Sequence, residues 1–597
     1  MSSTLDLVSR EHSARGTGSN GELSWTAPSP DYSTAGQALA RATQPDYFDW
    51  LSHVRAAGEC TRPIRLSGSL DTIEAVTGRL LDSRHTDQLP DAAIYKACGN
   101  RRSSVCPACA RTYQRDAYQL LRAGLVGGKG VPATVSRHPA AFVTLTAPGF
   151  GTVHTRHIRR HTCTDRKRCD CRPDPCHARR DTPGPCQHQM PAVCWTRHEA
   201  DDPALGQPLC LDCYDHDHHV VFNLHAAELW HRTKQHAERA LAKLCRTRGI
   251  PPVMVTSASG KTRNVPPVRL SHGKAAEMQR RGAVHFHALV RLDGIDPHDP
   301  TAVVPPPPGI GLADLVDALT NAAGQVTFTT SAHPQKPDGW PMTWGDQADI
   351  RPISLSGSGE VTDGMVAGYL AKYATKSTEA TGHNSTRITE DNVGLHAHPQ
   401  GTHVQRLVEA CWRLGHDPNS PTRERGGLRA HRGFVGGPFI EPWHCPDCGT
   451  HTRYRACPVC VAERQASLDT KPASTTKPAN SYAKLRRWAH MLGYGGHFLT
   501  KARRYSVTFR LLRDTRIAFR RATEELDDNA AVRAVDHLDE TTLIVSTLSF
   551  AGVGWHTSGD ALLANSAAAQ ARERHETGRE EIAHALGRSL SAVTTAA

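Results

Sequence analysis

The sequence predicts an α+β protein whose strands and helices are interrupted and flanked by cysteine-rich, zinc-binding segments, with an α-rich C-terminal region. Three observations carry that prediction. Val284, Phe286, Ala288, Val290 and Leu292 alternate with His285, His287, Leu289 and Arg291, the period of two of a half-buried strand. Between His225 and Arg248, Leu229, Trp230, Ala240, Leu241 and Leu244 recur at the spacing of an amphipathic helix. The 18 cysteines fall in groups, several as C-x2-C, and many lie among Pro, Asp, Arg and His where no apolar core can form.

At 597 residues the chain has room for several domains, each with its own core. Lys and Arg number 71 against 59 for Asp and Glu, a formal net charge of +12. A basic excess of this size suits a polyanion, nucleic acid above all. The first residues lack the apolar core of a signal peptide, and no run of some ~18 apolar residues occurs. The expectation is a soluble, cytoplasmic protein with no membrane partner, in which cysteines bind metal rather than form disulfides.

In chain order, residues 1–45 are rich in Ser, Thr, Gly and Pro and are expected to be disordered. Residues 46–135 carry Cys60, Cys98, Cys106 and Cys109; the last two flank a C-x-P-x-C-like turn of the kind that converges two thiolates on one zinc. Phe142–Pro148 reads as a β-branched strand stopped by proline. Residues 161–219 form a cysteine-rich insertion that one or two structural zincs would order. Cys210 and Cys213 are the surest pair, joined by Cys194 and either Cys176 or Cys186. Beyond the first long helix, Pro305–Pro308 reads as a linker, Leu312–Leu319 as a helix and Val326–Thr329 as a short strand.

Within residues 401–465, Cys445, Cys448, Cys457 and Cys460 are spaced C-x2-C-x8-C-x2-C, the pattern of a compact zinc ribbon. A linker over 466–480 leads to the basic segment 481–525. Residues 481–521 hold eleven Lys or Arg against the single acid Asp514, with Trp488, Tyr494, Phe498, Tyr505 and Phe509 interleaved. Charge for a phosphate backbone and rings for bases point to DNA, with Arg486, Arg487, Lys501, Arg503 and Arg504 as contacts. Residues 526–597 read as a strand at Leu543–Ser546 and a helix over Ala561–Leu586, with no functional signal.

Two stretches carry chemistry. His285 and His287 project from one face of their strand and can share a divalent metal. In Val366–Lys376, read as a helix, Tyr369 and Tyr373 lie one turn apart, with Lys372 and Lys376 each three residues after a tyrosine. A phenol is a poor nucleophile near neutral pH, but a metal on the phosphate and an adjacent ammonium make attack on a phosphodiester feasible.

The order of these stretches resembles the HUH-endonuclease superfamily of rolling-circle replication initiators. Phe142–Pro148 is similar to the first motif, Gly282–Val290 to the histidine–hydrophobe–histidine motif and Tyr369–Lys376 to the Y-x-x-K-Y-x-x-K motif. The phrases CGNRRSSVCPAC, LCLDCYD, RRGAVHFHALVRLDG, VAGYLAKYATK and LRRWAHMLGYGGHFLTKARRYSVTF more closely resemble the initiators of actinobacterial (pSAM-type) plasmids and integrative conjugative elements, over roughly residues 55–510. The resemblance implies an HUH nuclease domain with a central antiparallel sheet and helices, its first strand in 136–160 and the rest in 220–400. It implies Mg²⁺ or Mn²⁺ on His285 and His287, with zinc structural at the cysteines. The third ligand is Glu277 or Gln279, which stand where relatives carry an E-x-H-x-x-G run; a carboxylate suits a hard cation better than an amide. Tyr369 or Tyr373 would cut origin DNA that is single-stranded at the nick, leaving a 5′-phosphotyrosine and a 3′-hydroxyl for a host polymerase. Lys372 and Lys376 would steady the phosphate or phenolate. No G-x4-G-K-[ST] run occurs, so unwinding is expected from a host helicase. A two-tyrosine HUH transposase would use the same residues; a non-catalytic zinc-dependent DNA-binding regulator would need neither the histidines nor the tyrosines.

Overall fold

The computed structural model describes residues 33–156, 173–177, 184–256, 260–353, 363–376, 378–381, 386–416, 443–444, 448–449, 451–452, 482–527 and 542–595. The chain divides into two compact units, Gly99–Asp536 and the pair of segments Met1–Cys98 and His537–Ala597. The architecture is mixed α+β with antiparallel sheets.

The larger unit is built on strands β1 (Ala140–Leu145), β2 (Val268–Met278), β3 (Val284–Gly294), β4 (Asp349–Pro352) and β5 (Leu499–Lys501). Their order is β4–β1–β3–β2–β5, and every neighbouring pair is antiparallel. Five helices matter to the site: α1 (Pro107–Val126), α2 (His216–Thr247), α3 (Leu312–Gln325), α4 (Asp363–Tyr373) and α5 (His403–Leu414). Val284, Phe286 and Ala288 of β3 join a core with Leu229 and Trp230 of α2, Leu315 and Leu319 of α3 and Leu407 of α5. Each such side chain removed from water contributes about 1.5–3 kcal/mol.

The opposite face of β3 departs from expectation. A half-buried strand would leave it to solvent, yet Leu289 and Arg291 are fully buried. Leu289 and Ala275 pack against Leu121 and Leu125 of α1, Val366, Ala367 and Leu370 of α4, and Tyr505. Helices therefore cover both faces, and the histidine face is an interface with α1 and α4. Arg291 is held there by Asp293 (Nε to Oδ1 2.6 Å, Nη2 to Oδ2 2.9 Å) and donates to the carbonyls of Gly124, Tyr505 and Arg504. His138 adds a contact from Nδ1 to Asp293 Oδ1 at 2.7 Å. One buried ion pair thus ties β3 to α1 and to the chain that follows β5.

Several element boundaries shift for local reasons. Helix α2 begins nine residues before the expected His225, because Asp215 caps it by accepting from His218 N–H at 2.8 Å and Val220, Val221 and Phe222 are apolar enough to bury. The cysteine-rich insertion accordingly ends there and not at 219. Helix α4 stops at Tyr373, three residues short of Lys376. The proline run at 305–308 is not a free linker: Gly294 N–H donates to Val304 O at 2.9 Å just before it, and Pro305 lies against Gly294. The basic segment is part of the larger unit, since β5 pairs with β2. Its rings take part in packing. Tyr494, Phe498 and Tyr505 are buried, and Phe509 stacks on Tyr113 with centroids 5.1 Å apart.

In the smaller unit the two ends of the chain fold together. Ile64–Ser67 pairs with Ser549–Val553 and Ile94–Lys96, and Ser69–Glu74 lies between Leu80–His85 and Thr542–Ser546. Composition placed boundaries near 135 and 525, but strand pairing between 64–74 and 542–553 overrides it. Thr34–Ala42, within a stretch expected to be disordered, is a helix capped by Ser33, which accepts from Gly36 N–H at 3.0 Å. Half-buried Asp91 accepts from Trp50 Nε1–H (2.7 Å), Tyr95 O–H (3.1 Å) and Arg41 Nη2–H (2.7 Å), joining that helix and a second one, Tyr47–Val54, to the strand Ile94–Lys96. Among the described residues no helix is long and apolar enough to cross a membrane.

The Arg291–Asp293 pair makes a testable claim on stability. Arg291→Met should cost about 3–5 kcal/mol in urea unfolding, because it leaves the Asp293 carboxylate buried without its main partner. Burial raises the Asp293 pKa, but the hydrogen bonds from His138 and Arg291 outweigh it and the net shift is downward. Its contribution is therefore full above the unfolded carboxyl pKa of about 3.9 and lost as the pH falls through the lower folded value. Unfolding free energies measured across that window should fall in the wild type and change less in Arg291→Met.

Candidate metal and tyrosine site

The β2–β3 hairpin places its polar residues by register. Glu277 lies opposite His285, and Ala275 opposite His287. The turn closes through Gln279 N–H to Ala283 O (2.9 Å) and Gly282 N–H to Gln279 O (2.8 Å). Gly282 has φ +87°, and a Cβ there would meet the Leu492 side chain at 2.8 Å, so both conformation and packing require glycine. Glu277 Oε2 sits 2.8 Å from His285 Nε2 and 3.3 Å from His287 Nε2, and one ligand atom from each residue lies within 4.8 Å of the others. Burial pushes the Glu277 carboxyl up, but the hydrogen bonds from His285 and His287 prevail and hold it down at about 2. Burial also lowers the pKa of His287, a shift only partly offset by Glu277, so this ring is neutral at pH 7. Two imidazoles and a carboxylate on one side make a donor set for a divalent cation with open positions.

The ring nitrogens facing away from Glu277 are also engaged. His287 Nδ1 lies 3.1 Å from Thr144 Oγ1, and Phe142 stacks on the same ring, 5.8 Å between centroids and 3° between planes. When Nε2 serves as a metal ligand, Thr144 Oγ1 would accept the proton then carried on Nδ1. Thr144 pairs directly with His287 across β1–β3, which is how the first strand serves the site. Gln279 Nε2 lies 3.2 Å from His285 Nδ1, and Arg281 Nε donates to Gln279 Oε1 at 2.9 Å. Of the two residues expected as third ligand, Glu277 is therefore beside the Nε2 atoms and Gln279 is on the far side of His285.

Helix α4 lies over this cluster and is pinned at both ends. Arg122 of α1 donates to Asp363 at its start (3.0 Å), and Arg101 donates to the carbonyls of Ala374 (3.1 Å) and Lys376 (2.6 Å) at its end. The burial of Val366, Ala367, Leu370 and Ala371 turns the tyrosine side toward the histidines. Tyr369 Oη is 3.4 Å from His287 Nε2, and the residue is 39% exposed. Tyr373 lies one turn on, its ring 4.5 Å from that of Tyr369 and 5.6 Å from that of His287. Burial, then the Tyr373 hydroxyl and the Glu277 charge, raise the Tyr369 pKa. Lys376, beyond the helix end, brings Nζ to 3.7 Å from Glu277 Oε1 and 4.4 Å from the Tyr373 ring centroid. Lys372 is exposed on the helix.

The other expected site residues are distributed as follows. Cys60 and Cys98 belong to the smaller unit, where Cys98 N–H donates to Cys60 Sγ at 3.3 Å. Cys106 and Cys109 belong to the larger, at the first turn of α1. In the insertion, Cys194 does not join Cys210 and Cys213. His154, Cys176, Cys194 and His198 form one group and Cys186, His188, Cys210 and Cys213 another. The histidines that complete both groups were hidden among the 35 in the chain. Cys445, Cys457 and Cys460 lie outside the described residues; Cys448 is exposed, beside the strand pair Trp443–His444 and His451–Thr452. Of the expected DNA contacts, Arg486 donates to Trp412 O (2.9 Å) and Lys501 to Ser506 O (2.6 Å), and Arg504 gives its carbonyl to Arg291. Arg487 and Arg503 are exposed.

Comparison with known proteins places this geometry in a family. A family model described as "replication initiator protein, pSAM2" matches residues 46–437 and 445–569. A replication initiator protein of Streptomyces ambofaciens is 35% identical over 559 residues, spanning 92% of this chain and 96% of the relative. No solved structure matches. The matched residues include both strands of the hairpin and the tyrosine helix, and on this coverage the chain belongs to the pSAM2 family of replication initiator proteins.

Proposed function

We propose that this replication initiator starts rolling-circle replication by nicking one strand of its element's origin DNA with a tyrosine, as HUH endonucleases do. The observation that carries the proposal is the Tyr369 hydroxyl 3.4 Å from His287 Nε2, beside the Glu277–His285–His287 cluster. A DNA-binding regulator has no use for such a contact, and the relatives named above are initiators and not transposases.

Glu277, His285 and His287 would hold Mg²⁺ or Mn²⁺, which when bound polarises the scissile phosphate. Their oxygen and imidazole donors fit these cations, and thiolates, which would favour a softer ion, are absent from this group. Thr144 and Gln279 act behind the ligands, each on the outer nitrogen of one histidine. Tyr369 Oη attacks phosphorus, the bond to the 3′ oxygen breaks, and the chain keeps the 5′ phosphate while the freed 3′-hydroxyl primes a host polymerase. The raised Tyr369 pKa means that the phenolate needs neighbouring positive charge, which Lys376 supplies from the Tyr373 side. Tyr373 remains free for a second, terminating cleavage while Tyr369 holds the 5′ end. Structural zinc at the cysteine groups and a host helicase complete the proposal.

Two experiments test it. The full chain incubated with a single-stranded origin oligonucleotide and Mn²⁺ should form a covalent adduct that peptide mass spectrometry maps to Tyr369. Tyr369→Phe should reduce that first adduct by roughly three orders of magnitude, and Tyr373→Phe should spare it but block the second transfer. An undiminished adduct in the Tyr369→Phe, Tyr373→Phe double variant would end the nickase assignment. Separately, His285→Ala with His287→Ala should abolish calorimetric Mn²⁺ binding and nicking yet leave duplex origin binding within about threefold, about 0.6 kcal/mol. Loss of both activities together would show that the histidines support folding or recognition instead.

A further inference from the structure

Among the described residues between β1 and α2, eight donors gather in two groups, and their order along the chain is His154, Cys176, Cys186, His188, Cys194, His198, Cys210, Cys213. Taken as successive pairs, the first and third converge in one group and the second and fourth in the other. Ligand pairs that alternate in this way interlock two sites.

The spacing of the donors is that of tetrahedral zinc. Bonds of about 2.0 Å to nitrogen and 2.3 Å to sulfur at a tetrahedral centre imply N···N edges of about 3.3 Å and N···S edges of about 3.5 Å. In the first group His154 Nδ1 is 3.2 Å from His198 Nε2, Cys194 Sγ is 3.5 Å from His198 Nε2 and Cys176 Sγ is 3.9 Å from His154 Nδ1. In the second, His188 Nδ1 is 3.2 Å from Cys213 Sγ and 3.6 Å from Cys210 Sγ. An outer shell is also in place. His198 Nδ1 meets Asp202 Oδ2 at 2.6 Å, leaving Nε2 toward the group, and Thr155 N–H donates to Cys176 Sγ at 3.1 Å.

The first group is tied to the hairpin. The segment that follows His198 accepts both arms of Arg280, Nη2 at Ala200 O (2.6 Å) and Nη1 at Asp202 O (3.1 Å). Gly206, at φ +84°, lets the backbone close on the same turn, where a Cβ would meet Arg281 N at 2.7 Å. Arg280 and Arg281 belong to the turn between Glu277 and His285, and Arg281 holds the Gln279 amide that reaches His285.

We propose that residues 154–213 bind two zinc ions in a cross-braced arrangement, one on each group, and that the first ion anchors the β2–β3 turn through Asp202, Ala200 and Arg280. The inference rests on donor geometry and does not depend on the nicking reading. Elemental analysis of the full chain tests the wiring. Cys194→Ser and Cys210→Ser should each lower the zinc content by about one ion per chain. Cys186→Ser with Cys210→Ser, both in the second group, should still cost about one, whereas Cys194→Ser with Cys210→Ser should cost about two. The reverse pattern overturns the cross-brace. Should a variant fail to fold, the wild-type chain under limiting chelator answers by alkylation and mass spectrometry. Cys194 should become reactive in step with Cys176; reaction in step with Cys210 and Cys213 overturns the assignment. Hydrogen exchange tests the anchor: amides of residues 279–284 should exchange about tenfold faster in Cys194→Ser and be little changed in Cys210→Ser. No acceleration in Cys194→Ser, or an equal one in both, overturns it.

Discussion

The site depends on one constraint, the antiparallel register that sets Glu277 opposite His285. Side chains alternate across a strand, so a slip of one residue would carry both histidines into the apolar core and Phe286 out of it. Burial on that core face forbids the slip: Val284, Phe286 and Ala288 are fully enclosed, and β3 is held on both sides by β1 and β2. The same register brings Thr144 of β1 beside His287, so that three strands meet at one imidazole. A tight turn of positive φ at Gly282 fixes the length of the loop between the carboxylate and the first histidine.

Both faces of β3 being covered is what turns the histidine strand into a two-component site. Leu289 and Arg291 lie on the histidine side and are as buried as the residues of the opposite face. Leu289 seats α4 by packing with Val366 and Leu370, and Arg291 draws in α1 by its bond to Gly124. The tyrosines are then set over the histidines by contacts some residues away from either. Arg122 and Arg101 fix the helix along its axis, which is the direction that decides whether Tyr369 or Tyr373 stands nearest the cluster.

Alternation and helical spacing made the histidine strand and the tyrosine helix legible in the sequence, because local periodicity records which residues share a face. It does not record what covers that face. Leu289 was the one visible sign that the histidine side was not open to solvent, and in a period of two it passes for a single exception. The cysteine groups illustrate a second limit. C-x2-C at Cys210 and Cys213 is local and could be read, but which distant donors complete it depends on how the loops cross, and the histidines involved are indistinguishable in sequence from the others. The segment 481–521 shows a related limit. Rings interleaved with Lys and Arg have the same composition whether the rings enter a core or stack on bases, and here Tyr494, Phe498 and Tyr505 are enclosed while β5 completes the sheet.

The electrostatics of the cluster explain why the parts are needed together. Glu277 is buried enough that its charge would be costly if unpaired, and it is kept ionised by the imidazoles on either side. Burial first, then the Tyr373 hydroxyl and this carboxylate raise the pKa of Tyr369, so the surroundings by themselves disfavour its phenolate. Each unit by which a phenol pKa is raised costs about 1.4 kcal/mol toward its phenolate. On the proposed reading Glu277, His285 and His287 would hold a divalent cation, which would supply positive charge near the phosphate and the phenolate. Lys376 adds to it without competing for the same ligands, since its Nζ reaches Oε1 while the imidazoles engage Oε2. On the proposed reading, burial, the Tyr373 hydroxyl and the Glu277 charge together disfavour the Tyr369 phenolate, and a cation bound at Glu277 would offset the last of these.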